Sequence, residues 1–233
     1  VGKKVCVIVG VGPGNGAAFA SRFSKEGYHL ALLARSKSFT TELANKLVNA
    51  YPYECDVSHS DSIQSTFTQI QRDLGTIDVV VYNAGSGSWG TIEQITPQDF
   101  EASWRVNAFG LMMVSQYVLS SMKQNRKGNL IIIGATASKR GGIKTAAFGP
   151  AKAAQRSLAE SMAKYLGPMG IHVALVIIDG IVDLPKTREY MPDKPDNFFV
   201  KPNDVADTVF WLTQQAPSTW SFEVEIRPFG EAW

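Results

Sequence analysis

The chain alternates between short apolar runs and longer segments whose apolar residues recur at helical spacing. The runs are Lys4–Gly10, Tyr28–Ala34, Tyr51–Cys55, Ile77–Asn83, Asn129–Ala135, His172–Ile178 and Phe222–Ile226. Several of them, VVVYN, LIIIG and VALVII, are almost wholly apolar. A parallel strand covered by helices on both faces requires that pattern. Between the runs, Ile63, Phe67, Ile70 and Leu74 place one apolar stripe on a helix. Thr96-Pro97-Gln98-Asp99 reads as a helix start, with a capping hydroxyl, a first-turn proline and an acid three residues on. That helix continues through Trp104, Val106, Leu111, Met112, Val114, Val118 and Leu119 to about residue 125. A second long helix runs from about Pro150 to Leu166 and stops at Gly167-Pro168. A last one opens at Lys201-Pro202-Asn203-Asp204 and ends near Thr213. Seven strands joined by right-handed crossovers predict an α/β fold: a doubly wound parallel seven-stranded sheet, order 3-2-1-4-5-6-7, with helices on both faces. The whole of 1–233 reads as one domain.

Ligands of such sheets sit beyond the carboxyl ends of the strands. Those ends carry Gly10–Gly16, Arg35, Asp56, Asn83-Ala84-Gly85, Gly134–Ser138 and Asp179-Gly180. The stretch Val5–Ala20 organises the rest. A buried strand leads into four glycines, Gly10, Gly12, Gly14 and Gly16, and then into small apolar residues with helical spacing. The start of a helix offers unpaired N–H groups and a positive dipole end, and glycine lets a phosphate approach the backbone. This pattern predicts a dinucleotide cradle.

Composition narrows the remaining choices. The net charge is +2 with both signs interspersed, which leaves no basic footprint for nucleic acid. No apolar run approaches the ~20 residues that span a bilayer, and no secretory signal is visible. Cys6 and Cys55 fall on strands separated by another strand, so a disulfide is not expected, and two buried thiols suit a reducing, cytoplasmic setting. His29 and His172 lie at the far ends of their strands and His59 on the adenine side. No metal constellation is expected.

On these residues the chain resembles the short-chain dehydrogenase/reductase family, a Rossmann-type fold, over essentially its whole length. Gly10-x-x-x-Gly14-x-Gly16 matches that family's cofactor turn. Asp56-Val57 matches its adenine-side pair, and Asn83-Ala84-Gly85 its Asn-Ala-Gly signature. Asn107 matches the asparagine of the catalytic tetrad and Lys152 the lysine of Tyr-x-x-x-Lys. Asp179-Gly180 stands where Pro-Gly is usual. The cofactor contacts implied are Gly10, Gly12, Gly14, Asn15, Gly16, Arg35, Ser36, Asp56, Val57, Asn83, Ala84, Gly85, Lys152, Asp179, Gly180 and Val182. Family members using NAD place an acid at the end of the second strand. Here Ala34 holds that position and Arg35 follows, an arrangement suited to a 2′-phosphate and hence to NADP(H).

Two departures stand out. Phe148 occupies the tyrosine position, and Ala135 occupies the serine position thirteen residues earlier. Phenylalanine has no ionisable group and alanine no donor. Lys152 and Asn107 remain as catalytic candidates, with a water held by the Asn107 backbone as a proton source. Ser138 and Thr145 are candidate substitute hydroxyls. The resemblance implies hydride transfer between nicotinamide and a small, apolar-leaning carbonyl or alcohol. The alternative is a redox-inactive NADP(H)-binding sensor or scaffold. Trp89, Leu184, Tyr190, Met191, Phe198 and Phe199 either wall a substrate cleft or pack a surface loop down. The resemblance implies that the segment at about 181–200 folds over substrate as a lid. The resemblance also implies a homodimer or homotetramer, with the tail to Trp233 reaching a neighbour.

Overall fold

A computed structural model describes residues 2–231. Trp233 lies outside the described residues. In chain order the regular elements are β1 (Val5–Val9), α1 (Asn15–Lys25), β2 (His29–Ala34), α2 (Lys37–Ala44), β3 (Ala50–Glu54) and α3 (Ser60–Leu74). There follow β4 (Val79–Tyr82), α4 (Pro97–Trp104), α5 (Gly110–Asn125), β5 (Gly128–Ala135), α6 (Phe148–Leu166) and β6 (Ile171–Ile178). The chain closes with β7 (Ile181–Val182), α7 (Pro185–Tyr190), β8 (Phe199–Val200), α8 (Pro202–Gln214) and β9 (Glu223–Ile226).

Seven strands form one sheet in the order β3-β2-β1-β4-β5-β6-β9, and every neighbouring pair is parallel. The expected order holds. The seventh strand of the sheet is the ninth of the chain because β7 and β8 pair only with each other. Alternation along β1 shows why every position is apolar. Val5, Val7 and Val9 pack with Ile63, Phe67 and Val114 on one face, while Cys6 and Ile8 pack with Phe19, Phe23 and Val209 on the other. Cys6 and Cys55 are both buried and free, with β2 lying between their strands.

The structure amends three expectations. The long helix predicted from Pro97 is interrupted: a π-helical turn, Arg105–Phe109, separates α4 from α5. The start of α4 is as read, since Thr96 and Asp99 exchange hydrogen bonds in a capping box. Helix α6 begins at Phe148, two residues before the predicted start, and Pro150 is tolerated because its missing N–H falls in the first turn. Finally, the segment 181–200, where no strand is expected, carries a short strand pair. Ile181 and Val182 pair with Phe199 and Val200. The Asp183 carboxylate accepts from Arg188 Nε at 2.6 Å and from Lys201 Nζ at 2.6 Å. Those bonds hold its carboxyl well below the usual range.

The π-helical turn is anchored to the sheet by Tyr82, whose buried hydroxyl donates to the Val106 carbonyl at 2.5 Å. Tyr82→Phe removes this donor and strands a buried acceptor. Urea unfolding is expected to show a loss of about 1–3 kcal/mol, with the far-UV circular dichroism of the folded state retained.

Candidate functional site

Beyond the carboxyl ends of β1 and β4 the chain opens a cleft of 680 Å³. Its inner edge depends on Gly10, where φ is +87° and an added Cβ would lie 2.6 Å from the Ala84 backbone. The Asn83 side chain locks the two loops together, donating from Nδ2 to the Gly10 carbonyl at 2.7 Å. Gly16 lets α1 fold back on its own turn, since a Cβ there would sit 2.7 Å from Val11 Cα. At Gly12 a Cβ would meet nothing within 4 Å. Helix α1 starts without a side-chain cap and without an acid in its first turn. The adjacent Asn15 Oδ1 is buried without a partner. An open glycine and an uncapped helix start fit a phosphate accepting at this point, and the orphaned Asn15 oxygen fits a hydroxyl donor of the same ligand.

The outer end carries Arg35, Ser36 and Ser38, all exposed and all lining the cleft. Asp56 closes the far wall. Its Oδ1 accepts from Ser58 N at 2.9 Å and Ser58 Oγ at 2.7 Å. Partial burial opposes its charge, but the bonds from Ser58 and the charges of His59 and Arg35 outweigh it and lower the pKa. Gly14, Val57, Ala84, Gly85 and Val182 also line this cleft, so most of the expected cofactor contacts converge on one surface. Leu184 covers the glycine turn, since a Cβ on Gly14 would lie 2.5 Å from Leu184 Cδ2.

Lys152 and Asn107 do not line the cleft but lie buried behind its inner end, at Gly85. An added Cβ on Gly85 would lie 3.6 Å from both Lys152 Nζ and Asn107 Oδ1. Asn107 donates from Nδ2 to the carbonyls of Ser86 at 2.6 Å and Ser103 at 2.8 Å, which leaves its buried Oδ1 without a partner. Lys152 donates from Nζ to the Ile133 carbonyl and to Gln155 Oε1, each at 3.0 Å. Burial alone lowers its pKa from the ordinary lysine value to about 7. The Asn107 carbonyl, expected to hold a water, accepts from Gln155 Nε2 at 3.1 Å. Gln155 is the residue missed in the sequence. Its signal was a polar side chain three positions after Lys152, on the buried side of α6.

Phe148 lies against Gly87, where an added Cβ would meet its ring at 2.4 Å, and its ring centroid is 5.2 Å from that of Trp89. The loop bearing Trp89 is joined to the one before α6 by Gly90 N donating to Lys144 O at 2.9 Å. Ala135 ends β5. Neither candidate substitute hydroxyl is free: Ser138 Oγ donates to Ala135 O at 2.7 Å, and Thr145 Oγ1 donates to Gly142 O at 3.0 Å. The Asp179 carboxylate is bound by Arg227 and Thr136. Gly180 lies beneath Pro228, its position for a Cβ only 2.7 Å from Pro228 Cδ. Of the aromatic residues after it, Phe199 is buried and Arg188 stacks on its ring at 4.0 Å, so it packs the segment down rather than walling a cleft.

A family model described as short chain dehydrogenase matches residues 4–194. The chain belongs to the short-chain dehydrogenase family. Among its relatives in this family, carbonyl reductase family member 4 of Xenopus laevis is 26% identical over 217 residues, covering 91% of this chain and 92% of that protein. An uncharacterized oxidoreductase of Staphylococcus aureus strain USA300 is 27% identical over 229 residues, 97% of each chain. Among solved structures, an alcohol dehydrogenase from Thermococcus sibiricus complexed with 5-hydroxy-NADP superposes with a TM-score of 0.88 at 25% identity over 99% of both chains. A metagenomic short-chain oxidoreductase in complex with NADP gives 0.82 at 28% identity, covering 97% of this chain and 96% of that one. No helix among the described residues of this short-chain dehydrogenase is long and apolar enough to cross a membrane.

The buried Lys152 makes stability depend on pH with a definite sign. Unfolded, the lysine keeps its proton to about pH 10.4, whereas folded it releases it near pH 7. Between these values the unfolded state binds more protons, so stability rises with pH, by at most about 1.4 kcal/mol per pH unit. Below pH 7 the burial penalty is present in full. Denaturation at pH 7.0 and 8.5 is expected to show this rise in the unliganded wild type, and its loss in Lys152→Met.

Proposed function

We propose that this chain is an NADP(H)-dependent oxidoreductase acting on a small carbonyl or alcohol, with an atypical proton donor. The observation carrying the proposal is the cleft that gathers the glycine turn, Asn15 with its orphaned oxygen and the Arg35–Ser36–Ser38 group, with the orphaned Asn107 oxygen buried behind Gly85. The Thermococcus sibiricus and metagenomic relatives bound to NADP derivatives support the choice of cofactor. Arg35, with Ser36 and Ser38, would hold the 2′-phosphate. The α1 start would hold the pyrophosphate, and Lys152 and Asn107 the nicotinamide ribose. Bound there, the cofactor supplies or accepts a hydride at its nicotinamide.

The chain's own residues then set the proton chemistry. Phe148 and Ala135 provide none. Ser138 and Thr145 are committed to backbone carbonyls. Lys152 is the titratable group at the inner end, and its lowered pKa suits it to hold and release a proton at Nζ near neutral pH. Trp89 and Ile143, exposed on two joined loops, give the entrance an apolar character. They favour an apolar-leaning substrate over a charged one. The segment 181–200 would act as its lid, and the family resemblance points to a homodimer or homotetramer in the reducing cytoplasm.

One observation favours a second reading. With a phenyl ring and a methyl group in place of a general acid and an oxyanion donor, the site retains binding and loses most of its proton machinery. A redox-inactive NADP(H) sensor would look the same.

Fluorescence titration separates these. NADPH is expected to bind at micromolar concentration and more tightly than NADH. Arg35→Ala should weaken NADPH by roughly 10–100-fold, as the loss of a charge-assisted pair implies, and leave NADH nearly unchanged. Binding of neither nucleotide would overturn both readings. Paired Phe148→Tyr and Ala135→Ser is then expected to raise carbonyl turnover by at least about tenfold, within the ~10²–10⁴ range of a general acid. NADPH binding without oxidation by any carbonyl, in wild type and double variant alike, would leave the sensor.

A further inference from the structure

Gln155 is fully buried on α6 and belongs to no motif of the chain. Its amide spans two groups on different elements. Oε1 accepts from Lys152 Nζ at 3.0 Å, and Nε2 donates to the Asn107 carbonyl of the π-helical turn at 3.1 Å. The orientation is forced, because an ammonium has only donors and a carbonyl only acceptors. Reversing the amide would set donor against donor and acceptor against acceptor.

We propose that Gln155 is a positioning residue that clamps the Lys152 ammonium and replaces a mobile proton relay between Lys152 and Asn107 with a static bridge. This rests on the reading of Lys152 as the functional lysine of the cleft. A water or a hydroxyl receives and passes on a proton at one oxygen. An amide divides those roles between two atoms and passes none without becoming an imidic acid. The Lys152 proton is therefore closed off on the Asn107 side. Its remaining exit is towards Gly85 and the cleft, where Nζ also lies 5.9 Å from the Phe148 ring centroid.

The electrostatic setting isolates this effect. Charged groups on the packed elements are occupied elsewhere. On α6, Arg156 binds Glu223 and Lys164 binds Glu160. On α4 and the π-helical turn, Asp99 binds Ser88 and Thr96, and Arg105 binds Glu101. After β5, Lys139 binds Glu223 and Glu225. On β6, His172 bonds to the Ser221 carbonyl. Burial is the sole cause of the lowered Lys152 pKa, so the hydrogen bonds to Gln155 and Ile133 are what the ammonium has in place of a counter-ion.

The test is a lysine ¹³Cε NMR titration of the unliganded full chain, with the Lys152 signal identified from Lys152→Arg, alongside NADPH titrations across pH. Gln155→Met keeps the volume and removes both hydrogen bonds. It should lower the Lys152 midpoint by at least one pH unit and shift the pH dependence of NADPH binding with it. Gln155→Glu places a carboxylate beside Nζ and should raise the midpoint by at least one unit. A purely packing role would lower stability in both variants and move neither midpoint, and that result would overturn the proposal. Should Gln155→Met fail to fold, Gln155→Leu, which also removes both hydrogen bonds, decides by the same downward shift. Opposite shifts of the Lys152 signal in a protein that binds no NADPH would uphold the clamp and remove the proposed function.

Discussion

Two loops leave the sheet at the same height on adjacent strands, and the space between their backbones governs everything beyond. After β1 the chain turns away at Gly10, and after β4 it passes Ala84, so close that no side chain fits between them. Asn83 closes the gap with a hydrogen bond to the Gly10 carbonyl. Parallel neighbours with crossovers on opposite faces must separate at this point, and the divergence is what makes a crevice. The uncapped start of α1 and the Asn83–Trp89 loop are its two walls. Every other candidate contact is placed relative to them: Arg35 and Asp56 on the outer side, Lys152 and Asn107 on the inner.

Much of this was legible because burial on two faces is a demanding condition. Nearly every residue of β1, β4 and β6 is apolar, and such runs are conspicuous. Gly10 and Gly16 were readable because no other residue type meets the steric limit at those positions. The π-helical turn was not legible. A π-helical turn adds about one residue and leaves no mark in the apolar pattern, so the run from Trp104 to Leu119 reads as one continuous helix. Strands β7 and β8 have two residues each, too few for a period to register. Phe199 left both readings open, because an aromatic in a long loop carries no mark of which way it packs. Gln155 looked ordinary because its importance depends on two partners, one of them 48 positions away.

Behind Gly85 the cleft gives way to a dry interior. The Phe148 ring centroid lies 5.9 Å from Lys152 Nζ, and Lys152 itself is buried. The same dryness makes the ammonium costly to keep charged. An amide that offers an oxygen to the ammonium without bringing in an opposite charge is a compromise between these demands. It stabilises the cation enough to hold it in place and leaves it able to give up its proton near neutrality. Trp89 completes the enclosure from the opposite loop by resting on Phe148.

The neck of the segment between β6 and α8 has a mechanical consequence. Its two ends are tied together by the pairing of β7 with β8 and by Asp183, which holds Lys201 across the gap. Any swing of the segment therefore turns about that neck, as a gate turns on its post. Leu184 sits beside the post and would travel little, staying over the glycine turn. Tyr190, at the far end of α7, is largely exposed. Leu184 is thus held beside the neck while Tyr190 stands exposed at the other end of α7, although one short stretch of chain carries both.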